Sequence, residues 1–350
     1  RRRPSLRGFS LRTSVQTGRT IGEHYLLYGT VGPDGTAEVY LARDERTKEY
    51  VVIKQLKESI AENPELRRRF LLESKALASI HHPAVIRVIE LCDPPSGAPW
   101  MALEALRGES LGDFLKRSET IDPELGLRLV RETAHALEAV HAAGVIHRDI
   151  KPDNLFLVGP FGEPEHVKVL DFGMAHLPDE KHDEESTSIL GTVQYMPPEQ
   201  ILVEPVDART DVYALGVVLF RVMTGHLPFD AQSSGDLIRH QLFSPIPPAS
   251  WLVDDLPDGL EEVIHRATRK SPDHRYASMR EFGEALDAVV GLVSRPMNSA
   301  DLSYVGEIEG NSLSEPDIYR PVSSRGIAAY RVLAKEFGRY ASMPPKESAG

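Results

Sequence analysis

The pattern of apolar residues changes from strand-like to helical at residue 108, and this change limits the folds that the chain can adopt. Short or alternating apolar runs predict strands at 24–28, 37–43, 49–55, 85–91 and 99–104. One helix is predicted among them, over 64–80. Apolar spacings of three and four then predict helices at 111–118, 124–143, 208–224, 236–242, 261–269 and 279–290. We therefore expect an α+β protein, with a small sheet and one key helix followed by a larger, mainly α-helical part.

Segments without such patterns lie at both ends of the sequence. Residues 1–22 predict a basic disordered arm, and residues 291–350 predict a low-complexity tail rich in Ser, Pro and Gly. Within the tail, apolar spacing predicts a short helix at 327–340. The sheet part is expected at 23–107 and the helical part at 108–290. A polar stretch between residues 144 and 207 predicts a long loop, and loops of that length inside a compact domain are usually functional.

The composition excludes several classes of protein. With 41% apolar residues the chain can form a sizeable core, and its single cysteine excludes an internal disulfide and a paired-cysteine zinc site. A reducing, cytoplasmic location is therefore expected. No apolar run approaches the roughly 20 residues that a bilayer requires, so we expect neither a membrane span within this chain nor a signal peptide.

Charge is distributed unevenly along the sequence. The arm has six Arg and no acid and the tail is neutral, so residues 23–290 carry about −18 within the total of −12. Such an acidic body disfavours nucleic acid as a partner, because nucleic-acid binding depends on neutralising phosphates. The arm is either a solvated leader or a tether attracted to the acidic body, with Ser5, Ser10 and Ser14 as phosphorylation sites.

The most specific motif is His147-Arg-Asp-Ile-Lys-Pro-Asp-Asn154. Within six residues it places a proton acceptor, Asp149, a cation, Lys151, and a neutral metal ligand, Asn154. Seventeen residues later, Asp171-Phe-Gly follows an apolar strand predicted at 167–170, and this order favours a carboxylate that binds a metal ion against phosphates.

A second charged pair is predicted in the sheet part. Lys54 ends the apolar strand Val51-Val-Ile-Lys, where its ammonium needs a partner to offset the cost of desolvation. Glu73 lies 19 residues later, among apolar residues of the predicted helix.

Taken in this order, the motifs resemble the eukaryotic-like (Hanks-type) serine/threonine protein kinase family over roughly residues 24–290. Pro197-Pro198-Glu199, Asp211 and Arg275 match further motifs of that family, and Gly191–Gln200 is similar to its bacterial members. The resemblance implies a bilobal protein kinase fold. Its N-lobe would be a small antiparallel sheet with one key helix, and its C-lobe would be larger and mainly helical.

The resemblance implies a catalytic role for three residues. Asp149 would orient and deprotonate the substrate hydroxyl, and Lys151 would stabilise the charge of the transferred phosphoryl group. Lysine at this position is typical of serine/threonine specificity. Thr192 would hydrogen-bond toward both side chains.

ATP and Mg²⁺ are the implied cofactors, with Mn²⁺ as an alternative metal. Lys54, oriented by Glu73, would hold the α- and β-phosphates, while Asn154 and Asp171 would bind the metal. The remaining implied nucleotide contacts are Gly32, Gly35, Val39, Val52, Glu104, Leu106 and Phe156. The glycine-rich loop departs from the family pattern, because Asp34 and Ala37 occupy glycine positions and Pro33 lacks a backbone donor. Gly35 could shift the turn by one residue and restore the loop, so we expect weakened or altered nucleotide affinity and not its loss.

Other residues have implied regulatory or structural roles. Arg148 would receive a phosphate from the activation loop, at Ser186, Thr187 or Ser188. Glu199 and Arg275 would form a shielded ion pair, and Asp211 would belong to the core helix.

Three functions compete at this point. The first is an active kinase that phosphorylates Ser and Thr of proteins and autophosphorylates its activation loop. The second is a pseudokinase that binds a nucleotide or partner, and the third is a small-molecule phosphotransferase of related fold. The filled charged positions favour the first. The protein substrate, the upstream signal and the oligomeric state are left open, and a transient dimer would serve autophosphorylation in trans.

Overall fold

The structure is a computed structural model that describes residues 18–34, 36–118, 121–160, 162–171, 193–231 and 233–293. Most of the predicted arm and nearly all of the predicted tail, including its helix at 327–340, lie outside these residues. The described part divides into two compact units. The first contains 18–118 and 132–171, and the second contains 121–131 and 193–293. The predicted lobe boundary at 107/108 stays a prediction.

The main sheet of the first unit has six antiparallel strands. Its strands, in the spatial order β1-β2-β3-β4-β6-β5, are β1 (Thr20–Ile21), β2 (Tyr25–Asp34), β3 (Ala37–Asp44), β4 (Tyr50–Leu56), β5 (Val88–Cys92) and β6 (Trp100–Glu104). Alternate residues of these strands are apolar and buried, with Leu27, Ile53 and Ala102 among those that form the core. The sheet predicted from the alternation is therefore confirmed.

Helices and a second sheet complete the first unit. They are α1 (Glu58–Ala61), α2 (Pro64–Ser79), α3 (Leu111–Arg117), part of α4 (Pro123–Ala142), and the antiparallel strands β7 (Gly108–Ser110), β8 (Leu155–Val158) and β9 (His166–Val169). Helix α2 begins where its sequence predicts, because Asn63 accepts hydrogen bonds from the amides of Glu65 and Leu66 and Pro64 occupies the first helical position. A short 3₁₀ turn at Pro152–Asn154 leads into β8.

The second unit is helical and is organised around one buried helix. Its elements are α5 (Pro198–Ile201), α6 (Ala208–Thr224), α7 (Ser234–Phe243), α8 (Leu260–Ala267) and α9 (Met279–Val293). At Gly216 of α6, an added Cβ would lie 2.8 Å from side chains of Ala267 and Thr268, so glycine permits the close packing of α6 against α8. Helix α6 ends at Gly225, which has φ 74° and caps it.

Three predictions about secondary structure are wrong. The predicted disordered arm over 1–22 ends in β1 (Thr20–Ile21), which pairs with β2 and buries Ile21. The stretch 144–207 is not one long loop, since it contains the 3₁₀ turn, β8, β9 and α5. Only β9 was predicted, as the apolar strand at 167–170; the other elements have three or four residues, too few to show a recognisable period. The strand predicted at 85–91 begins at Val88, and Val85 instead forms an isolated parallel bridge with Val169. None of the described helices is long and apolar enough to cross a bilayer.

Candidate active site

His147 anchors the segment between α4 and the 3₁₀ turn. Its side chain is fully buried, its Nε2 lies 2.7 Å from the carbonyl oxygen of Leu170, and its Nδ1 accepts the amide of Asp149 at 3.3 Å. A ring that accepts at Nδ1 and donates at Nε2 is the neutral Nε2–H tautomer. His147 therefore fixes the backbone of Asp149 relative to the residue that precedes Asp171.

Two charged residues of this region have left-handed backbone conformations. Arg148 has φ 66° and Asp171 has φ 48°. Such conformations cost about 1–2 kcal/mol in a residue with a side chain, and they persist where the surrounding structure over-determines them. Both side chains are thus directed by a backbone that the flanking hydrogen bonds hold in place.

The carboxylate of Asp149 lies between two donors. Lys151 Nζ is 3.0 Å from Oδ1 and 2.8 Å from Oδ2, and Asn154 Nδ2 donates to Oδ2 at 2.9 Å. The same amide nitrogen also donates to the main-chain oxygen of Asp149 at 2.7 Å. The structure therefore brings together the three chemical groups that the motif predicts.

Lys54 and Asp171 form an ion pair across 117 residues of sequence. Lys54 Nζ lies 2.7 Å from Asp171 Oδ1, and the lysine is only 3% exposed, although Asp171 is about half exposed. Desolvation alone would raise the pKa of Asp171, but the Lys54 ammonium outweighs this and lowers that pKa below its usual range. The contact offsets the desolvation of a lysine in the middle of the sheet.

Glu73 lines the same pocket as Lys54 and Asp171, together with Leu77, Met101 and other residues of α2 and the sheet. Burial raises the pKa of Glu73, and the charges of Arg69, Arg148 and Lys54 offset this only in part. Lys54 has its ion pair with Asp171 in this structure. The predicted pairing of Lys54 with Glu73 stays a prediction.

Glu104, one of the implied nucleotide contacts, forms an ion pair that the sequence analysis did not predict. Lys168 Nζ, on β9, lies 2.6 Å from Glu104 Oε1 and 3.3 Å from the carbonyl oxygen of Val85. The same carboxylate oxygen accepts the amide of Arg87 at 2.9 Å. The only sequence signal was a lysine inside the apolar strand His166–Val169. This cluster joins the end of β6 to β9.

Strand register places the remaining predicted nucleotide contacts. Val39 pairs with Gly32 on one side and with Lys54 on the other, and Val52 pairs with Leu103. Phe156 pairs with Lys168 in the second sheet, and Leu106 follows β6. The apolar members of this set, Val39, Val52, Leu106 and Phe156, are all half-buried, as expected for the walls of a pocket.

The glycine-rich loop is a continuation of the β2–β3 hairpin. Strand β2 extends through Asp34, which pairs with Ala37, and irregular register lies between Leu27 and Gly32. Gly35 lies outside the described residues. The hairpin is therefore longer than the strands predicted at 24–28 and 37–43.

Comparison with known families decides the identity of the fold. The family model described as "Protein kinase domain" matches residues 25–284. The chain belongs to the protein kinase family. Its fold is the α+β bilobal protein kinase fold, with an antiparallel sheet in the N-lobe and a helical C-lobe. The predicted family and fold class are confirmed.

Several bacterial kinases are similar to this chain. It is 35% identical to serine/threonine-protein kinase pkn3 of Myxococcus xanthus, over 84% of this chain and 55% of the relative. It is also 35% identical to serine/threonine-protein kinase PknB of Mycolicibacterium smegmatis, over 91% and 54%. The crystal structure of the Mycobacterium tuberculosis PknI kinase domain matches with a TM-score of 0.60 and 26% identity, covering 79% of this chain and all of that one. The chain spans about half the length of such curated relatives.

The predicted structural residues of the kinase lie in its second unit. Arg275 donates to both carboxylate oxygens of Glu199, at 2.7 and 2.8 Å, and both side chains are at most 4% exposed. Thr210 also donates to Glu199, at 3.0 Å. Asp211 is fully buried in α6. The geometry of the predicted ion pair is therefore present.

Several predicted residues lie outside the described part of the kinase. These are Gly35, Thr192, and the activation-loop residues Ser186, Thr187 and Ser188. Their predicted roles stay predictions.

Family membership implies ATP and a divalent metal ion, and the residues present fit such an ion. Both hydrogens of Asn154 Nδ2 point to Asp149, so the amide oxygen is the atom left to act as a ligand. Asp171 offers a half-exposed carboxylate, and the main-chain oxygen of Asn154 accepts the amide of Leu170, next to Asp171, at 2.9 Å. The described residues contain no cluster of three or more His, Cys, Asp or Glu for a metal. One carboxylate and one amide oxygen suit a cation whose remaining ligands include phosphate oxygens.

Proposed function

We propose that this kinase transfers the γ-phosphoryl group of ATP, with Mg²⁺, to Ser and Thr hydroxyls of proteins. The curated relatives reported above carry the name serine/threonine-protein kinase. The positions of Asp149 and Lys151 support the same chemistry in this chain. A pseudokinase is not favoured, because the site has its proton acceptor, its cations and its metal ligands.

The observation that carries the proposal is the orientation of the Asp149 carboxylate. Asn154 holds one of its oxygens and its main-chain oxygen, while His147 holds its amide. A general base must be fixed within hydrogen-bond reach of the proton that it abstracts. Asp149 is thus a preorganised acceptor for the proton of a substrate hydroxyl.

Lys151 acts on the other side of the reaction. Its ammonium contacts both oxygens of Asp149, so it lies where the attacking hydroxyl and the transferred phosphoryl group have to meet. There it stabilises the negative charge that develops on the phosphoryl oxygens. The two residues therefore divide the work into proton acceptance and charge stabilisation.

Lys54 and Asp171 bind the nucleotide in this proposal. Lys54 donates to the α- and β-phosphates, and Glu73 orients it when the two groups pair. Bound Mg²⁺ supplies positive charge that neutralises the phosphates, and Asn154 and Asp171 hold it. The 2.7 Å contact between Lys54 and Asp171 supports the binding of phosphate and metal next to each other.

The test is phosphoryl transfer from radiolabelled ATP to a protein substrate, followed by identification of the modified amino acids. Asp149→Asn keeps the side-chain size and removes the base, so we expect kcat to fall by about 10²–10⁴. Asp153→Asn is the matched control, because this carboxylate is exposed in the same segment and pairs only loosely with Lys116 at 3.5 Å. It should remain near wild-type activity.

Two results would contradict the proposal. Equal rates of phosphoryl transfer by wild type and Asp149→Asn would show that Asp149 is not the general base. Nucleotide-dependent thermal stabilisation without any transfer would support the pseudokinase instead. Running the assay with Mg²⁺, Mn²⁺ or a chelator identifies the metal.

The other predictions about partners follow from the sequence and stay predictions. They are a cytoplasmic location, the absence of a nucleic-acid partner, and phosphorylation in trans through a transient dimer.

A further inference from the structure

Gln241 is a fully buried amide on α7 that bonds to the main chain of a distant segment. Its Nε2 donates to the carbonyl oxygen of Val193 at 3.1 Å and to that of Gln194 at 2.6 Å. One side chain therefore uses both of its N–H groups on two successive carbonyls. Those carbonyls would lose hydrogen bonds that a buried acceptor requires if the amide were removed.

The other end of the amide is also held. Tyr213, fully buried in α6, donates its hydroxyl to Gln241 Oε1 at 2.5 Å. Lys270 Nζ in turn donates to the Tyr213 hydroxyl at 2.9 Å. The hydrogen bonds of this network run in one direction, from Lys270 through Tyr213 and Gln241 to the two carbonyl oxygens. The amide of Gln241 is therefore held in one orientation.

The Tyr213 ring of this network also contacts Arg275, which forms the buried ion pair with Glu199. The guanidinium of Arg275 lies 4.9 Å from the centre of the Tyr213 ring, and the same guanidinium binds Glu199. The Tyr213 hydroxyl is therefore fixed by packing as well as by hydrogen bonds. This makes α6 a rigid support for Gln241.

The held segment has a defined place in the sequence. Val193 and Gln194 follow Thr192, which is predicted to hydrogen-bond toward Asp149. They precede Pro197-Pro198-Glu199, a family motif that the resemblance to protein kinases implies to shape the peptide-binding surface. Tyr195 in the same turn accepts a hydrogen bond from Arg221 of α6. The turn is thus attached to two helices, α6 and α7, through side chains.

We propose that Gln241 is a positioning residue that holds the turn at Val193–Gln194 in the conformation that accepts the protein substrate. The proposal rests on the proposed function, because it concerns the substrate of that same reaction. Gln241 would act on the affinity for the protein substrate and not on the nucleotide. Its effect reaches the substrate only through the main chain that it binds.

Kinetics with a Ser/Thr peptide test this assignment. Gln241→Leu removes both donors and keeps a side chain of similar length, so KM for the peptide should rise about tenfold or more. KM for ATP and kcat at saturating peptide should stay within about twofold. Arg239→Ala, an exposed change on the same helix, is the control and should alter neither constant. A merely structural role would lower the active fraction and hence kcat, with KM unchanged.

Two further measurements keep the outcomes distinct. Tyr213→Phe retains the ring but loses the hydroxyl, so it should raise the peptide KM less than Gln241→Leu does, and it serves if Gln241→Leu does not fold. Hydrogen exchange should be faster at residues 193–196 in Gln241→Leu, with α6 unchanged. Faster exchange at residues 193–196, in a protein whose wild type transfers no phosphate, would contradict the proposed function but support the role of Gln241 in holding the turn. Unchanged exchange with unchanged peptide KM would overturn the positioning.

Discussion

Replacing Arg275 with alanine should destabilise the second unit strongly. The guanidinium donates to both oxygens of Glu199 and to the carbonyl oxygens of Arg269, Lys270 and Arg209, at 2.7, 3.0 and 2.9 Å. Arg275→Ala removes all of these hydrogen bonds at once. It leaves Glu199, which is 3% exposed, with Thr210 as its remaining side-chain donor among the described residues.

The size of the effect follows from this burial. Removing one partner of a buried, hydrogen-bonded ion pair costs about 3–5 kcal/mol, mainly because the other charge stays buried without compensation. At roughly 2–4 °C per kcal/mol for a unit of this size, Tm should fall by about 6–20 °C. Arg239→Ala removes an exposed contact of 3.5 Å to Asp236 and should change the free energy of unfolding by less than about 1 kcal/mol.

Urea unfolding of Arg275→Ala, Glu199→Ala and the double variant measures these energies. The double variant should be less destabilised than the sum of the single variants, because it leaves no unpaired charge. If Arg275→Ala unfolds within about 1 kcal/mol of wild type, or if the two changes are additive, the buried pair does not contribute as the geometry implies.

Three other predictions concern regulation and pH. Burial raises the pKa of Glu73, so folding disfavours the charged form of its carboxyl group. Glu73→Gln should therefore raise Tm at neutral pH, and this gain should shrink as the pH falls toward 4.5. Thermal melts across pH would measure the change. Mass spectrometry after incubation with ATP and Mg²⁺ should find phosphate at Ser186, Thr187 or Ser188, whereas full activity of the triple-Ala variant would contradict activation there. Deletion of residues 1–17, which leaves β1 in place, should lower the peptide KM at low salt, and this difference should shrink at high salt if the arm is an electrostatic tether; an unchanged KM at both salts would leave it a leader.

Sequence reasoning identified the residues whose chemistry fixes both their type and their spacing. Asp149, Lys151 and Asn154 lie within six residues, so their local sequence already determines which groups can meet. Helix α6 was predicted with its observed bounds because Asp207 caps its start and Gly225 ends it. In both cases the signal is local.

Contacts between distant positions could not be predicted in this way. Lys168 and Glu104 are 64 residues apart, and the sequence around the lysine does not indicate which acid it pairs with. Gln241 and Val193 are 48 residues apart, and nothing in the sequence of α7 marks a buried amide that binds main chain. Such pairs depend on which elements pack together, and this packing is determined by the whole core, not by the sequence near either residue.

The 117-residue separation between Lys54 and Asp171 has a consequence for synthesis on the ribosome. All six strands of the main sheet have been made once residue 104 leaves the exit tunnel, yet the carboxylate that contacts Lys54 arrives 67 residues later. Until then, completing the sheet would bury an ammonium group without the Lys54–Asp171 contact, and that burial is costly. The nascent N-terminal part should therefore gain stability when β9 and the following Asp171 emerge.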